Sequence, residues 1–342
     1  MSSCACLIWR YLLKVTSIDR YSREVSALAE ATLAAGWQLA LDELVARHGV
    51  PRTADGRFVP AVLVGLGKLG GRELTTGSDL DIFTVFEADG TTDGERPIDA
   101  HTFYSNAVER LTSALADITP AGTAFQVDLR LRPGSKGSGF ASTIAALEHY
   151  YEEWGDLWER QTLTRTRMIL GDRLLARRVR RVLHELVYGQ PLPPDPIKTI
   201  RQVRRRMELE LGKETRGRYH VKLGRGGLVD VEFLTQTLQL VHGGAHPEVR
   251  APSTSGALAG LARAGVLAPE RAAELVEHYR FLRRVSAATR LLAARPADVL
   301  ELAGPMPARV ATALDYESRQ AFVEDYKRRT DAVRAMYAEV ME

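Results

Sequence analysis

Asp79-Leu80-Asp81-Ile82 places two carboxylates two residues apart in a segment whose other residues are apolar. In a strand, residues i and i+2 share a face, so Asp79 and Asp81 point one way while Leu80 and Ile82 enter the core. Their backbones then lie about 6.5–7 Å apart at ~3.3 Å rise per residue. Side chains at that separation can converge on two magnesium ions ~3.5–4 Å apart. Unpaired like charges repel, which favours a bound cation, and hard oxygen ligands favour magnesium. Asp128, between Val127 and Leu129, is a third acid projecting from an apolar strand. If that strand lies beside the first, Asp128 can bridge to the same ions or act as base for an incoming nucleophile. Arg130 has the same facing and the chemistry to bind phosphate.

A lone Asp-x-Asp is more often the solvated face of an edge strand. Here the pair follows Gly67-Lys68-Leu69-Gly70-Gly71, itself preceded by the apolar run Ala61 to Val64. Glycines let a backbone approach a triphosphate, and N–H groups at a helix start attract anions. The combination of glycine turn, short spacer, Asp-x-Asp and distant strand acid is specific where each part alone is weak.

The elements that must hold these residues follow from periodicity. Ser17 to Arg47 reads as a helix, with Leu28, Thr32, Ala35, Leu39 and Leu44 at helical spacing and a stop at His48-Gly49-Val50-Pro51. Ala61 to Val64 and Leu80 to Phe86 read as strands, with a brief helix through Leu74 between them. Ile98 to Ile118 is a helix with Tyr104, Val108, Leu111, Leu115 and Ile118 on one stripe, and Ala124 to Leu131 is a third strand closing at Arg132-Pro133. From about Ser142 the strand signals stop. Helical faces recur through Leu228 to Val241, Tyr279 to Leu292 and Phe322 to Val340, and Pro191 to Pro196 breaks the helices on either side. These patterns divide the chain into a helical segment at 1–50, an α/β unit at 51–141 and a helical bundle at 142–342.

The 342 residues suffice for two packed units, with 45% hydrophobic and 26% charged residues. A formal net charge of +3 does not by itself imply nucleic-acid binding. Cys4 and Cys6 are the only cysteines and have no His or Cys cluster beside them to complete a zinc site. The apolar run Leu7 to Leu13 is short and broken by Arg10, lacks the zones of a signal peptide, and falls below the ~20 residues a span requires. The expectation is a reduced cytoplasmic protein without membrane or nucleic-acid partners.

GLGKLGGRELTTGSDLDIFTVF at 65–86, FQVDLRLRP at 125–133, WGDLWERQTLTRTRMILGD at 154–172 and KLGRGGLVDVEFLTQTLQL at 222–240 together resemble the glutamine synthetase adenylyltransferase family. The likeness runs from about Gly36 to Arg295. It implies an α+β protein, a DNA polymerase beta-like nucleotidyltransferase domain followed by an all-helical bundle domain. It also implies Asp79 and Asp81 as metal ligands, Asp128 as the third acid, and Gly70, Gly71 and Ser78 in a nucleotide cradle; Lys68 and Arg130 are further candidates for binding the nucleotide. The family carries two such units, one adenylylating a tyrosine of glutamine synthetase and one removing the AMP by phosphorolysis, where this chain has one. Thr92-Asp93-Gly94-Glu95-Arg96, Phe103-Tyr104 and Asp230 to Gln236 look more like the adenylylating half, whereas Lys222-Leu223-Gly224 resembles the removing half. Adenylylation with ATP and two magnesium ions is the favoured direction. Glutamine synthetase is the implied substrate, and the PII signalling protein a second candidate partner.

Other features carry less. Trp158-Glu159-Arg160, with Arg165 and Arg167 on the same expected helix, would line the nucleotide cleft by resemblance, but an interdomain ion-pair network explains them equally. Asp230 at a helix start is explained by capping, worth roughly 0.3–1 kcal/mol. Glu232, at the edge of the apolar face, is less well explained by capping and is a candidate for the metal's surroundings. The arginine runs at 177–181 and 204–206 read as solvated faces or partner contacts rather than nucleic-acid grips. No histidine precedes an aspartate, which argues against an enzyme of the PII-uridylylating type with its His-Asp domain. The rival from another class is a non-catalytic module that binds glutamine synthetase or PII. An intact acidic triad speaks against it.

Overall fold

The computed structural model describes residues 3–12, 14–117, 123–131, 139–153, 155–293 and 298–341. Ile118 and Arg132-Pro133 lie outside the described residues. Helices in chain order are α1 (Ser3–Leu12), α2 (Ile18–His48), α3 (Gly67–Gly70), α4 (Ala100–Ala116), α5 (Ile144–Glu153), α6 (Leu157–Leu163), α7 (Arg173–His184), α8 (Pro196–Met207), α9 (Leu228–His242), α10 (Thr254–Arg263), α11 (Pro269–Ala293), α12 (Met306–Ala313) and α13 (Arg319–Met341). Strands are β1 (Pro51–Arg52), β2 (Ala61–Gly65), β3 (Leu80–Phe86), β4 (Thr91–Thr92), β5 (Val127–Asp128), β6 (Ala141–Thr143), β7 (Arg167–Gly171), β8 (Arg218–His220) and β9 (Val299–Glu301). α7 and α8 each continue into a π turn, Glu185–Gly189 and Glu208–Gly212. No helix among the described residues is long and apolar enough to cross a membrane.

The chain is an α+β protein organised on one mixed sheet. Its order is β5-β3-β2-β7, with β6 also paired to β3; β2 runs antiparallel to β3 and β7, while β5 and β6 run parallel to β3. Alternation along β2 and β3 gives the sheet two apolar faces. Leu63, Leu80, Ile82 and Phe86 pack with α2 and α4, whereas Val62, Val64, Phe83 and Val85 join the larger core built with α9, α11 and α13. Burying each such side chain contributes about 1.5–3 kcal/mol. Asp81 shares its facing with Phe83 and Val85, so its side chain belongs to the face that meets the later helices.

α2 starts where Ser17 accepts the Arg20 amide and stops at Gly49, whose φ of 78° suits glycine. Its buried stripe, however, is Tyr21, Val25, Ala29, Leu33, Trp37, Ala40 and Leu44, and the expected Leu39 is exposed. The aromatic rings set the rotation: Trp37 stacks on Tyr104 of α4 at 6.5 Å between centroids.

The segment after Ser142 is not all helical. β7 closes one edge of the sheet against β2, and β8 pairs with β9. The third expected strand shrinks to Val127–Asp128 because the Asp128 carboxylate accepts the Arg130 amide at 2.8 Å, a local turn that competes with the ladder.

Candidate active site

The first turn of β3 is where the acids meet. Asp81 lies within the strand, and parallel pairing sets it opposite Asp128 of β5, with Leu80 opposite Val127. Asp79 is exposed and sits just before the strand rather than in it. The turn that delivers it is closed by Ser78, whose buried hydroxyl accepts the Thr75 amide at 3.1 Å. Gly67 stands at φ +52°, and a Cβ there would come 2.8 Å from Asp81 Oδ2. Glycine therefore keeps space open beside that carboxylate.

These residues form one end of a cleft of about 180 Å³ lined by Gly67, Lys68, Ser78, Asp79, Asp81, Asp128, Arg130, Arg165, Lys222, Glu232 and Arg290. Acids gather on the sheet side. Lys68 from α3, Lys222 from the loop before α9 and Arg290 near the end of α11 supply cations. Arg290 is fixed by donating to Gly77 O at 2.7 Å and pairing with Asp298 at 2.6 Å. Burial, with the Asp128 and Asp79 charges added, pushes the Asp81 carboxyl up to about 6, and the Lys222 and Arg165 charges offset only part of this. Burial and the neighbouring Lys222 and Arg290 charges bring the Lys68 ammonium down to about 8. Asp128 goes the other way: the Arg130 guanidinium, at 3.0 and 2.9 Å from its two oxygens, holds it below the ordinary carboxylate range.

Behind the cleft is a buried polar network. Arg165 pairs with Glu73, and with Glu232 at 3.2 Å. Tyr279 Oη is 3.0 Å from Glu73 and 3.0 Å from Glu232, so its one proton serves either carboxylate. Thr254 donates its amide to Glu73 at 3.1 Å. Burial alone would raise Glu232, but Arg165, Lys68 and Lys222 outweigh it and hold the carboxylate ionised, whereas burial beside those two acids pushes Tyr279 well above the ordinary phenol range. The network ties the segment after α3 and the turn before β7 to α9, α10 and α11.

The structure thus brings Asp79, Asp81, Asp128, Lys68, Ser78 and Arg130 to one cleft, with Arg130 engaged by Asp128 rather than free for phosphate. Gly70 and Gly71 lie elsewhere. A Cβ on Gly70 would meet Arg165 O at 1.8 Å, and one on Gly71 would meet Pro252 O at 2.9 Å, so both allow close packing of backbone outside the cleft. Trp158, Glu159 and Arg160 are on α6 but also lie away from it. Glu159 accepts the Asp156 amide at 3.0 Å, and Arg160 donates to the carbonyls of Val187, Gln190 and Pro191. Arg165 and Arg167 are not on that helix. Thr164 and Thr166 bond back to Gln161 O and Leu163 O, the helix ends, and Arg167 opens β7. Asp230 does more than cap: fully buried, it pairs with Arg204 at 2.6 Å. Arg290, Glu73 and Tyr279 are not among the candidate site residues of the sequence, and Lys222 stands there only as part of a motif; Lys222, Tyr279 and Arg290 lie far along the chain from the acids, and only the fold unites them.

A cation fits this donor set in part. Asp79 and Asp81 offer hard oxygens with room kept by Gly67, while Asp128 is turned to Arg130, and no three acidic, His or Cys side chains among the described residues already form a cage. That suits magnesium, which takes one or two carboxylates and completes its shell with phosphate oxygens.

A model of the glutamate-ammonia ligase adenylyltransferase family matches residues 2–182, just over half the chain. A second, described as GlnD PII-uridylyltransferase, matches residues 198–341. The missing His-Asp pair therefore does not set that helical stretch apart from the PII-modifying enzymes. Among similar proteins, the bifunctional glutamine synthetase adenylyltransferase/adenylyl-removing enzyme of Thioalkalivibrio sulfidiphilus is 32% identical over 336 residues, 98% of this chain and 34% of the relative. Proteins of the same description from Acinetobacter baylyi and Aromatoleum aromaticum are 32% and 34% identical over 93% and 82% of this chain, covering 34% and 29% of their own lengths. The chain spans about a third of the length of the curated relatives it matches. With the family model covering residues 2–182 and the acidic cleft built from the motifs inside that match, the chain belongs to the glutamate-ammonia ligase adenylyltransferase family.

Proposed function

We propose that this cleft transfers AMP from ATP to a tyrosine hydroxyl of glutamine synthetase. The observation that carries the reading is the parallel register of Asp81 and Asp128, with Asp79 alongside, facing Lys68, Lys222 and Arg290 across one small cleft. The sheet with α2 to α4 serves as a DNA polymerase beta-like nucleotidyltransferase unit, and the later helices as a bundle that closes it. Asp79 and Asp81, joined by Asp128, would hold magnesium, which when bound neutralises phosphate charge and lowers the barrier to attack at the α-phosphorus. Lys68, Lys222 and Arg290 orient the triphosphate by charge. The tyrosine Oη forms the new P–O bond, its proton passes to a carboxylate of the acidic set, and pyrophosphate leaves in line. Glu232 and Arg165 fix the wall against which the nucleotide sits.

Lys222 supports a second reading. Its segment resembles the adenylyl-removing half, and a cation in the cleft also suits inorganic phosphate attacking AMP-tyrosine. Incubation with glutamine synthetase and α-labelled ATP separates the two. Label entering the synthetase with pyrophosphate released is the expected result. Phosphate-dependent release of ADP from pre-adenylylated synthetase, without forward transfer, would assign the removing activity instead. Retention of full transfer by Asp81→Asn would overturn the metal assignment in either direction.

A further inference from the structure

The three cations facing the acids, Lys68, Lys222 and Arg290, come from separate parts of the chain, and two of them depend on one buried acid. Asp298 is 9% exposed and stands just before β9. Its carboxylate takes Arg290 in a bidentate grip, Nε at 3.1 Å and Nη2 at 2.6 Å, and accepts the Ser286 hydroxyl at 2.6 Å. Arg290 then donates Nη1 to Gly77 O at 2.7 Å, in the turn that leads to Ser78 and Asp79. One hydrogen on each terminal nitrogen is left over for a ligand in the cleft that Arg290 lines.

The backbone of the same residue reaches the second cation. β8 and β9 run antiparallel with His220 opposite Val299, and one step further Val221 N donates to Asp298 O at 2.7 Å. Val221 is fully buried, and Lys222 follows it. Asp298 therefore sets Arg290 by its carboxylate and the Lys222 segment by its carbonyl. A long cation held in place beforehand loses less side-chain freedom when it meets an anion.

We propose that Asp298 is a positioning residue for phosphate binding, holding Arg290 and Lys222 in one arrangement in the cleft. Its carboxylate acts through Arg290 rather than by contact with phosphate. The sign of its effect separates this role from plain charge. An acid beside an anion site repels the anion, so on charge alone its removal tightens binding. On positioning, its removal frees Arg290 and weakens binding. The role rests on the nucleotide reading of the cleft and holds for either direction of reaction.

Calorimetric titration of magnesium pyrophosphate into the parent chain and into Asp298→Asn tests it. Binding about tenfold weaker in the variant is expected; unchanged or tighter binding overturns the proposal. Val333→Ala, a truncation in the core of α13 that lowers stability without touching the cleft, should bind like the parent. An equal loss there would reduce Asp298 to a stabilising acid. In an Arg290→Ala background, Asp298→Asn should cost little more. A loss that persists in full there would place the effect on Lys68, which the Asp298 charge also reaches, and overturn the Arg290 route. Hydrogen exchange at the Ser78 amide, held by Thr75 O at 3.0 Å, requires no ligand. It should quicken in Asp298→Asn as Arg290 releases Gly77, while the Val221 amide, bonded to an unchanged carbonyl, keeps its rate. A parent chain that binds no magnesium pyrophosphate would refute the nucleotide reading and with it the phosphate role; an unchanged Ser78 rate would by itself refute the positioning.

Discussion

Two sets of acids stand within the same cleft region and are treated differently by the fold. Glu73, in the segment after α3, is buried and Glu232, on α9, is largely so, and both are served by Arg165 and Tyr279, with Thr254 added at Glu73. Asp81, aimed by the strand's alternation, and Asp79, delivered by the turn before it, hydrogen-bond no guanidinium among the described residues; the Arg130 charge reaches both, but its hydrogen bonds go to Asp128. The first set is matched by the protein itself and does structural service. The second is left under-neutralised, and that is where a ligand cation has something to gain. What separates the two is their partners.

The sharpest way to break this comparison is to remove one acid of each kind. Asp81→Asn should cost about a thousandfold in AMP transfer from α-labelled ATP while the melting temperature stays close to that of the parent chain. A variant that melts early instead would make Asp81 a structural acid like Glu73. Arg165→Ala should do the reverse, leaving two buried carboxylates unpaired and costing about 3–5 kcal/mol in urea unfolding. Stability within 1 kcal/mol of the parent would mean that the network is wetter than its burial implies.

Asp298 sharpens the comparison by pH. Burial alone would raise its carboxyl, but the Arg290 guanidinium and the Ser286 hydroxyl outweigh that and hold it at about 2. A carboxyl depressed on folding stabilises the protein above its unfolded value near 4, and the contribution is lost as pH falls through the folded value. Asp298→Asn should therefore lose on the order of 2 kcal/mol at pH 7 and almost nothing at pH 2, measured by denaturant unfolding at both. An equal loss at both pH values would point to packing rather than charge. The smallest effect belongs to the exposed pair Arg271–Glu339 at 3.0 Å, where Arg271→Ala should change stability by less than about 1 kcal/mol. A larger loss there would show that surface pairs in this chain act as more than solvated contacts.

What the sequence revealed follows from how local each signal is. Leu80 to Phe86 was legible residue for residue, because alternation of Asp81 with Leu80 and Ile82 reports a strand without reference to its neighbours. The pairing of Asp81 with Asp128 was legible as a condition, that the two strands adjoin, which the fold meets. β7 was not legible. Met168-Ile169-Leu170 is a short apolar run, ambiguous between helix and strand, and its partner β2 lies about a hundred residues earlier. Arg290 was not legible for a related reason: it stands in no unusual local pattern, while Lys222 was legible only as part of a motif, and packing of α9 and α11 against the sheet turns both toward the acids. Asp230 and Glu232 share a helix and differ by rotation; capping accounts for an acid at a helix start, and only the fold shows Asp230 buried against Arg204.

The placement of β7 also governs how this protein could be taken apart. Because the strand beside β2 is supplied from beyond α6, a fragment ending near residue 150 would retain Asp79, Asp81 and Asp128 yet bare the backbone of Val62 to Gly65 along an open edge. Unpaired amides beside so apolar a strand invite pairing with another copy. Such a fragment should come out of expression aggregated, and the shortest soluble piece that keeps the acids should extend at least through Gly171.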